Sequence, residues 1–191
     1  MTLCFATNNG HKIQEVSAVL GKEFRLLTLE EAGISEELPE EQVTLEGNAR
    51  QKAQYIFDRY GIPCFADDTG LEVDALNGAP GVYSARYAGP QRNSEDNIRL
   101  LLRNLAGKFP RTAKFRTVIW LALPQGQWFF EGAVHGSIME DPKGTGGFGY
   151  DPVFLPDQSA RTMAEMTLEE KNRISHRALA VQRLNEFLRM L

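Results

Sequence analysis

Asp67 and Asp68 stand side by side directly after the apolar run at residues 64–66. Two adjacent carboxylates at the end of a buried strand repel each other and lose hydration, so a cation must offset both. Magnesium, which takes hard oxygen ligands and keeps several waters, is the usual solution. A solvated Asp-Asp turn is the alternative; the flanking Phe65 and Leu71 argue for burial. Glu40 and Glu41 lie upstream in a poorly patterned acidic stretch, where either completes the coordination or stays a solvated loop charge.

A second cluster, Thr7, Asn8, Asn9, Gly10, His11 and Lys12, leaves the first apolar run and opens an amphipathic stretch. A strand that passes through a small, polar, glycine-containing turn into a helix gathers backbone N–H groups and the positive end of the helix dipole, which suits a phosphate. Lys12 adds a positive charge in the first turn. The same residues also read as an Asn-Gly turn with a helix cap, and they do not match the Walker pattern.

The third cluster, residues 144–152, has four glycines among the six residues from Gly144 to Gly149. Glycine admits left-handed backbone and close approach, and Phe148 in their midst is a stacking surface for a base; a flexible surface loop is the competing reading. The fourth is Lys171 with Ser175, His176 and Arg177. A serine cap places His176 and Arg177 in the first turn of the last helix, where positive charge opposes the helix dipole. They therefore face an acceptor, or they are a solvated helix start. Lys52 faces either solvent or phosphate. Together the clusters describe a nucleotide site, and paired carboxylates with lysines suit a polyphosphate bound with magnesium better than a dinucleotide, whose fingerprint is missing.

These side chains must be held by regular elements, and alternating short apolar runs and amphipathic stretches predict an α/β fold with a mixed sheet. Strands are expected at residues 3–7, 24–27, 63–66, 71–75, 113–123 and 127–134, the last two joined as a hairpin through Pro124, Gln125 and Gly126. Thr44 and Ser94 are expected to cap helices, and Thr167 with Glu170 forms a capping box. The last helix is expected to present Ala180, Leu184, Phe187 and Leu191 on one face. Residues 77–89 are too irregular for a regular element and carry Val82, Tyr83 and Tyr87, which suggests a contact with a second copy of the chain.

Composition bounds the rest. With 42% apolar and 24% charged residues, the 191-residue chain has the balance of one ordinary globular domain, residues 1–191. A chain of this size buries roughly 70% of its unfolded surface and needs neither disulfide nor structural metal. Twenty-one Lys and Arg against 25 Asp and Glu, a net −4 with no basic block, argue against nucleic acid as a partner. Cys4 and Cys64 read as small core residues of a reducing compartment. The apolar residues 3–6 are too short for a signal peptide, and nothing approaches the ~20 apolar residues that span a bilayer. No membrane partner and a cytoplasmic location are expected.

The residues at 7–12, Asn48-Ala49 with Lys52-Ala53, residues 66–71, 78–87 and 144–152, and Ser175-His176-Arg177 together resemble the inosine triphosphate pyrophosphatase family, in the family's order and across essentially the whole chain. The resemblance implies an elongated two-lobed α/β fold, a long mixed β-sheet flanked by helices with the active site in the cleft between lobes, a homodimer and a Mg2+ requirement. It implies hydrolysis of ITP, dITP and XTP to the monophosphate and pyrophosphate. Carried over by position, Thr7, Asn8, Asn9, Gly10, His11, Lys12 and Lys52 would hold the triphosphate, and Thr69 would touch substrate. Asp68 would activate water, and Glu40, Asp67 and Asp68 would hold the metal. Phe148, Gly149, Tyr150, Asp151, Lys171, His176 and Arg177 would surround the base, with His176 and Arg177 donating to the purine 6-oxo group. Thr69 stands where many members have serine, and Gly47 where many have a glutamate. A nucleotide-sensing module without hydrolysis is the rival from another class, against which the paired carboxylates argue; a pyrophosphatase for another modified nucleotide is the alternative among enzymes.

Overall fold

In the first strand, β1 (Thr2–Phe5), the side chains alternate between two apolar clusters, and this alternation sorts the whole first half of the fold. The computed structural model describes all 191 residues. β1 leads into α1 (Gly10–Val19), β2 (Arg25–Leu27), α2 (Leu45–Tyr60), β3 (Cys64–Val73) and a two-residue β4 (Pro80–Gly81). Then come α3 (Ser94–Leu105), β5 (Thr112–Leu123), β6 (Gly126–Ile138), β7 (Phe154–Pro156), α4 (Leu168–Asn172) and α5 (His176–Leu188). The seven strands form one mixed sheet of order β2-β1-β3-β5-β6-β7 with β4 on β3. β1 pairs parallel with β2 and β3, whereas β4 on β3 and β7 on β6 are antiparallel.

The chain divides into two compact units, Met1–Asp68 with Thr117–Gly132 and Arg177–Leu191, and Thr69–Arg116 with Ala133–His176. In the first unit Leu3, Phe5, Phe65, Ile119 and Leu121 pack with Val16 and Leu20 near α1 and with Ala180, Val181, Leu184 and Leu188 of α5. Phe5 and Phe65 stack at 4.7 Å between ring centroids. The opposite face carries smaller residues, Cys4, Ala6, Cys64, Ala66 and Ala122, against Ala53 and Ile56 of α2. Cys4 and Cys64 are neighbours in register across β1 and β3; both are buried free thiols, and the Cys64 Sγ donates to the Ala53 carbonyl. Burial pushes these thiols up, to about 11 for Cys4 and about 12 for Cys64. The second unit builds its own core from Leu71 and Val73 of β3, Ile98, Leu101 and Leu105 of α3, Phe115, and Tyr150, Val153, Phe154 and Met163.

Local signals fix most boundaries. Thr44 caps α2 by accepting from the Gly47 N–H, Thr167 and Glu170 form their capping box, and β5 and β6 make the hairpin. Three expectations need correction. The strands expected at residues 63–66 and 71–75 are one: β3 runs unbroken from Cys64 to Val73, because the apolar alternation resumes at Leu71 and the strand need not stop. The side chain that caps α3 is Asn93, accepting from the Asp96 N–H, and Ser94 is the first helical residue. Leu191 lies beyond the end of α5 and is exposed; Leu188 takes the buried position instead.

Candidate functional site

Because β3 continues through Asp67 and Asp68, successive side chains point to opposite faces of the sheet. Asp67 shares its face with Phe65 and meets α1 and α5. Asp68 shares its face with Ala66 and meets α2. The two carboxylates therefore meet different helices, although the Lys12 and Lys52 charges act on both.

Asp67 is fully buried with both oxygens engaged: Oδ1 accepts from Lys12 Nζ at 2.8 Å and Oδ2 from Arg177 Nε at 3.0 Å. The Arg177 guanidinium is itself 1% exposed and its Nη1 pairs with the buried Glu15 carboxylate of α1. Burial would raise Asp67, but the Lys12, Arg177 and Lys52 charges outweigh it and hold the carboxyl far below the usual range. Burial pulls Lys12 down, with Asp67 opposing it. Burial would likewise lower Arg177, which Asp67 and Glu15 instead keep raised.

On the other face, Asp68 Oδ2 accepts from Asn48 Nδ2 at 3.1 Å, and burial pushes its carboxyl up despite the nearby Lys52 and Lys12 charges. Lys52 Nζ spans Glu40 Oε1 at 2.7 Å and the Asp67 carbonyl at 2.8 Å. Burial disfavours its charge, yet Asp68, Glu40 and Asp67 together keep its pKa raised. The segment carrying Glu40 is held on α2 by two further bonds, Gln42 N–H to Asn48 Oδ1 at 2.9 Å and Glu41 N–H to Gln51 Oε1 at 3.0 Å. Gly47 makes this approach possible, since a Cβ there would lie 2.7 Å from the Gln42 Cβ.

At the start of α1, Asn9 Oδ1 accepts from the His11 and Lys12 N–H groups at 3.0 and 3.2 Å, and Thr7 Oγ1 from the Asn9 N–H. The expected donors are thus drawn together, with Asn9 as their cap. Asn8, Gly10 and His11 are exposed at the same turn, and a Cβ at Gly10 would meet nothing within 4 Å.

In the second unit Asp151 organises the glycine loop. Its Oδ2 accepts from the Phe148 N–H at 2.9 Å and from Lys171 Nζ at 2.5 Å, and the Lys171 ammonium lies 4.8 Å from the Phe148 ring centroid. Gly147 sits at φ +67, where a Cβ would strike Asp151 Oδ2. Gly149 adjoins this aromatic at φ +62, Tyr150 is buried, and Thr69 is half-buried in β3. His176 is buried with its ring stacked on Phe115 at 4.7 Å. Arg177, expected beside it at the base, belongs to the first unit, where Asp67 and Glu15 hold its guanidinium.

The chain matches the family model described as the Ham1 family over residues 3–187. It is 53% identical over 187 residues to a dITP/XTP pyrophosphatase of Porphyromonas gingivalis, covering 97% of this chain and 96% of the relative. This chain belongs to the Ham1 family. A second dITP/XTP pyrophosphatase, from Flavobacterium johnsoniae, is 51% identical over 98% of both chains. Among solved structures, a HAM1 protein from Coxiella burnetii superposes with a TM-score of 0.91 at 34% identity over the whole of both chains. A Ham1 protein from Staphylococcus aureus gives 0.90 at 37% identity, over 99% of this chain and 98% of the other. The family match takes in every candidate position from Thr7 to Arg177.

No group of three or more His, Cys, Asp or Glu side chains gathers that could hold a metal ion by itself. Asp67 is committed to Lys12 and Arg177; Glu40 and Asp68 lie close enough that the Glu40 charge raises Asp68. Magnesium is commonly held by one or two carboxylates with substrate phosphates and water, so this donor pair fits an ion that arrives with a polyphosphate. Two participants escaped the sequence reading. Glu15 looks like a surface charge three residues after Lys12, and nothing local marks its partner. Asn48 was legible only as part of a motif, although its buried amide holds both Asp68 and the Glu40 segment.

A carboxyl whose pKa is depressed by folding adds stability that is complete above the unfolded value, about 3.9, and drains away as the pH falls below it. Asp67 does this; Asp68, raised by burial, works with the opposite sign once the pH exceeds the unfolded value. In urea unfolding followed from about pH 7 to pH 2, the wild type should lose stability on acidification below about pH 4 more steeply than Asp67→Asn. Equal slopes would mean that Asp67 is not the acid-sensitive anchor.

Proposed function

We propose that this Ham1-family chain hydrolyses nonstandard purine nucleoside triphosphates, ITP, dITP and XTP, to the monophosphate and pyrophosphate. The reading is supported by the names of its relatives at 53% and 51% identity. The observation that carries it is Asp68, a carboxylate made more basic by burial and set beside the charges of Lys52 and Lys12.

Asp68 accepts a proton from water as the water oxygen attacks the α-phosphorus; the bond from that phosphorus to the bridging oxygen breaks, and pyrophosphate leaves with the electron pair. Lys12 and Lys52, with the donors at residues 7–12, offset the charge moving onto the leaving group. Magnesium, held by Glu40 and Asp68 together with phosphate oxygens, would supply further neutralisation of the polyphosphate. Asp67 serves by holding Lys12 and Arg177 rather than by binding the ion.

The base is proposed to stack on Phe148, near Gly149, Tyr150, Asp151, Lys171 and His176, while Thr69 touches the substrate. Inosine and xanthosine carry an acceptor at position 6 where adenosine carries a donor. A buried donor left facing another donor costs about 1–3 kcal/mol, and sites built on such bonds reject analogues by as much as about 10⁴–10⁵. The free thiols suit a reducing cytoplasm. The half-buried Val82 and Tyr87 and the exposed Tyr83 support a homodimer through residues 77–89.

Pyrophosphate release from ITP, XTP, dITP, GTP, ATP and dTTP, with and without magnesium, tests the activity. Asp68→Asn should keep the fold and lose roughly 10²–10⁴-fold in kcat; retention of most activity would remove Asp68 from the role of base. Arg177→Lys should lower ITP and ATP turnover by the same factor, because its contacts belong with Asp67; a shift in the ITP-to-ATP ratio would return Arg177 to the base. Light scattering at micromolar concentration should give twice the chain mass of 21.4 kDa, and a monomer mass would rule out the dimer.

A further inference from the structure

The segment at residues 78–89 is one of the most distinctive stretches of the sequence, and neither the phosphate nor the base residues include it. In the second unit it is tied down by one buried serine. Ser84 Oγ accepts from the Leu71 N–H of β3 at 2.9 Å and donates to the Gly81 carbonyl at 2.6 Å. β4 adds the pairing of Gly81 and Pro80 with Leu71 and Glu72. Asn97 of α3 closes the far side, accepting from the Ala88 N–H at 2.7 Å and donating to the Ala85 carbonyl at 3.0 Å. The segment is therefore fixed to the strand two residues beyond Thr69.

The Ser84 carbonyl has a second task. It accepts from the Tyr150 hydroxyl at 2.8 Å, a bond made inside the core where the ring is 4% exposed. Tyr150 is the residue between Gly149 and Asp151, and Asp151 Oδ2 holds both the Phe148 N–H and the Lys171 ammonium. The phenol is thus the side-chain tie between the glycine loop and the segment fixed to β3. A hydrophobic ring alone would fill the space without setting the distance; the hydroxyl sets it.

We infer that Tyr150 and Ser84 are positioning residues that fix the Phe148–Lys171 platform relative to the Thr69 end of β3, and so fix where a purine base sits. This rests on the reading that the base stacks on Phe148. Neither residue needs to touch the substrate.

The test uses the full chain with ITP as substrate and inorganic tripolyphosphate as a competitor that has no base. Tyr150→Phe, which loses the bond to the Ser84 carbonyl, and Ser84→Ala, which loses the hydroxyl's two bonds to Leu71 and Gly81, should each raise KM for ITP about 2- to 10-fold. kcat and the inhibition constant of tripolyphosphate should stay within about twofold. Phe148→Ala should raise KM at least as much, and Tyr150→Phe added to Phe148→Ala should bring little more, since both act through one platform. If Phe148→Ala raises KM but Tyr150→Phe and Ser84→Ala do not, the positioning role is overturned while base stacking stands. An additive double variant, or tripolyphosphate weakened as much as ITP, also overturns it by showing a general loss of structure. If Phe148→Ala leaves KM unchanged, base stacking fails and the inference falls with it. Should Tyr150→Phe fail to fold, Ser84→Ala carries the same comparison by loosening from β3 the segment whose carbonyl Tyr150 holds.

Discussion

A carboxylate with both oxygens turned inward loses several kcal/mol of hydration, and Asp67 recovers it only because Lys12 and Arg177 reach it from two helices. Arg177 is in the same position: a fully buried guanidinium, which needs Glu15 on its other side. The result is an alternating row of charges, Glu15, Arg177, Asp67 and Lys12, that joins α1, α5 and β3. Remove any one member and its neighbour is left charged in a dry core. The row therefore fixes the helix start at residues 10–12 and the middle of β3 at residues 67–68 as one object, and the turn at residues 7–9 inherits its place from both.

One step along the strand, the same residue type meets the opposite fate. Asp68 lies on the α2 face, with an amide for a partner where Asp67 has two cations, and burial raises it. Strand periodicity makes this possible, because neighbouring side chains are exposed to different helices. A pair of carboxylates with pKa values pushed apart is the physical basis for assigning different tasks to each. Burial raises Asp68 even though the lysine charges that hold Asp67 ionised act to lower it.

Much of this was legible in the sequence. The α2 cap at Thr44, the capping box at Thr167 and the hairpin at Pro124 rest on signals within a few residues, and the order of motifs was enough to recognise the family. What escaped depends on distance along the chain. The polar run at residues 67–70 resembles a turn locally; its strand conformation is decided by alternation continuing on both sides. Glu15 and Arg177 lie 162 positions apart, so no spacing rule connects them. Local chemistry identified the residues. Only tertiary packing decided which of them met.

The paired thiols of β1 and β3 carry a practical corollary. Cys4 and Cys64 are enclosed by the small-residue face against α2, with pKa values near 11 and 12. At neutral pH a thiol with such a pKa is ionised in only about one molecule in 10⁴ to 10⁵, and the thiolate is the reacting form. The native chain is therefore nearly silent toward alkylating and maleimide reagents while folded. A single cysteine introduced on the exposed rim of either unit would be labelled almost alone, which makes the wild-type background a ready-made scaffold for spectroscopic probes without first removing its own cysteines.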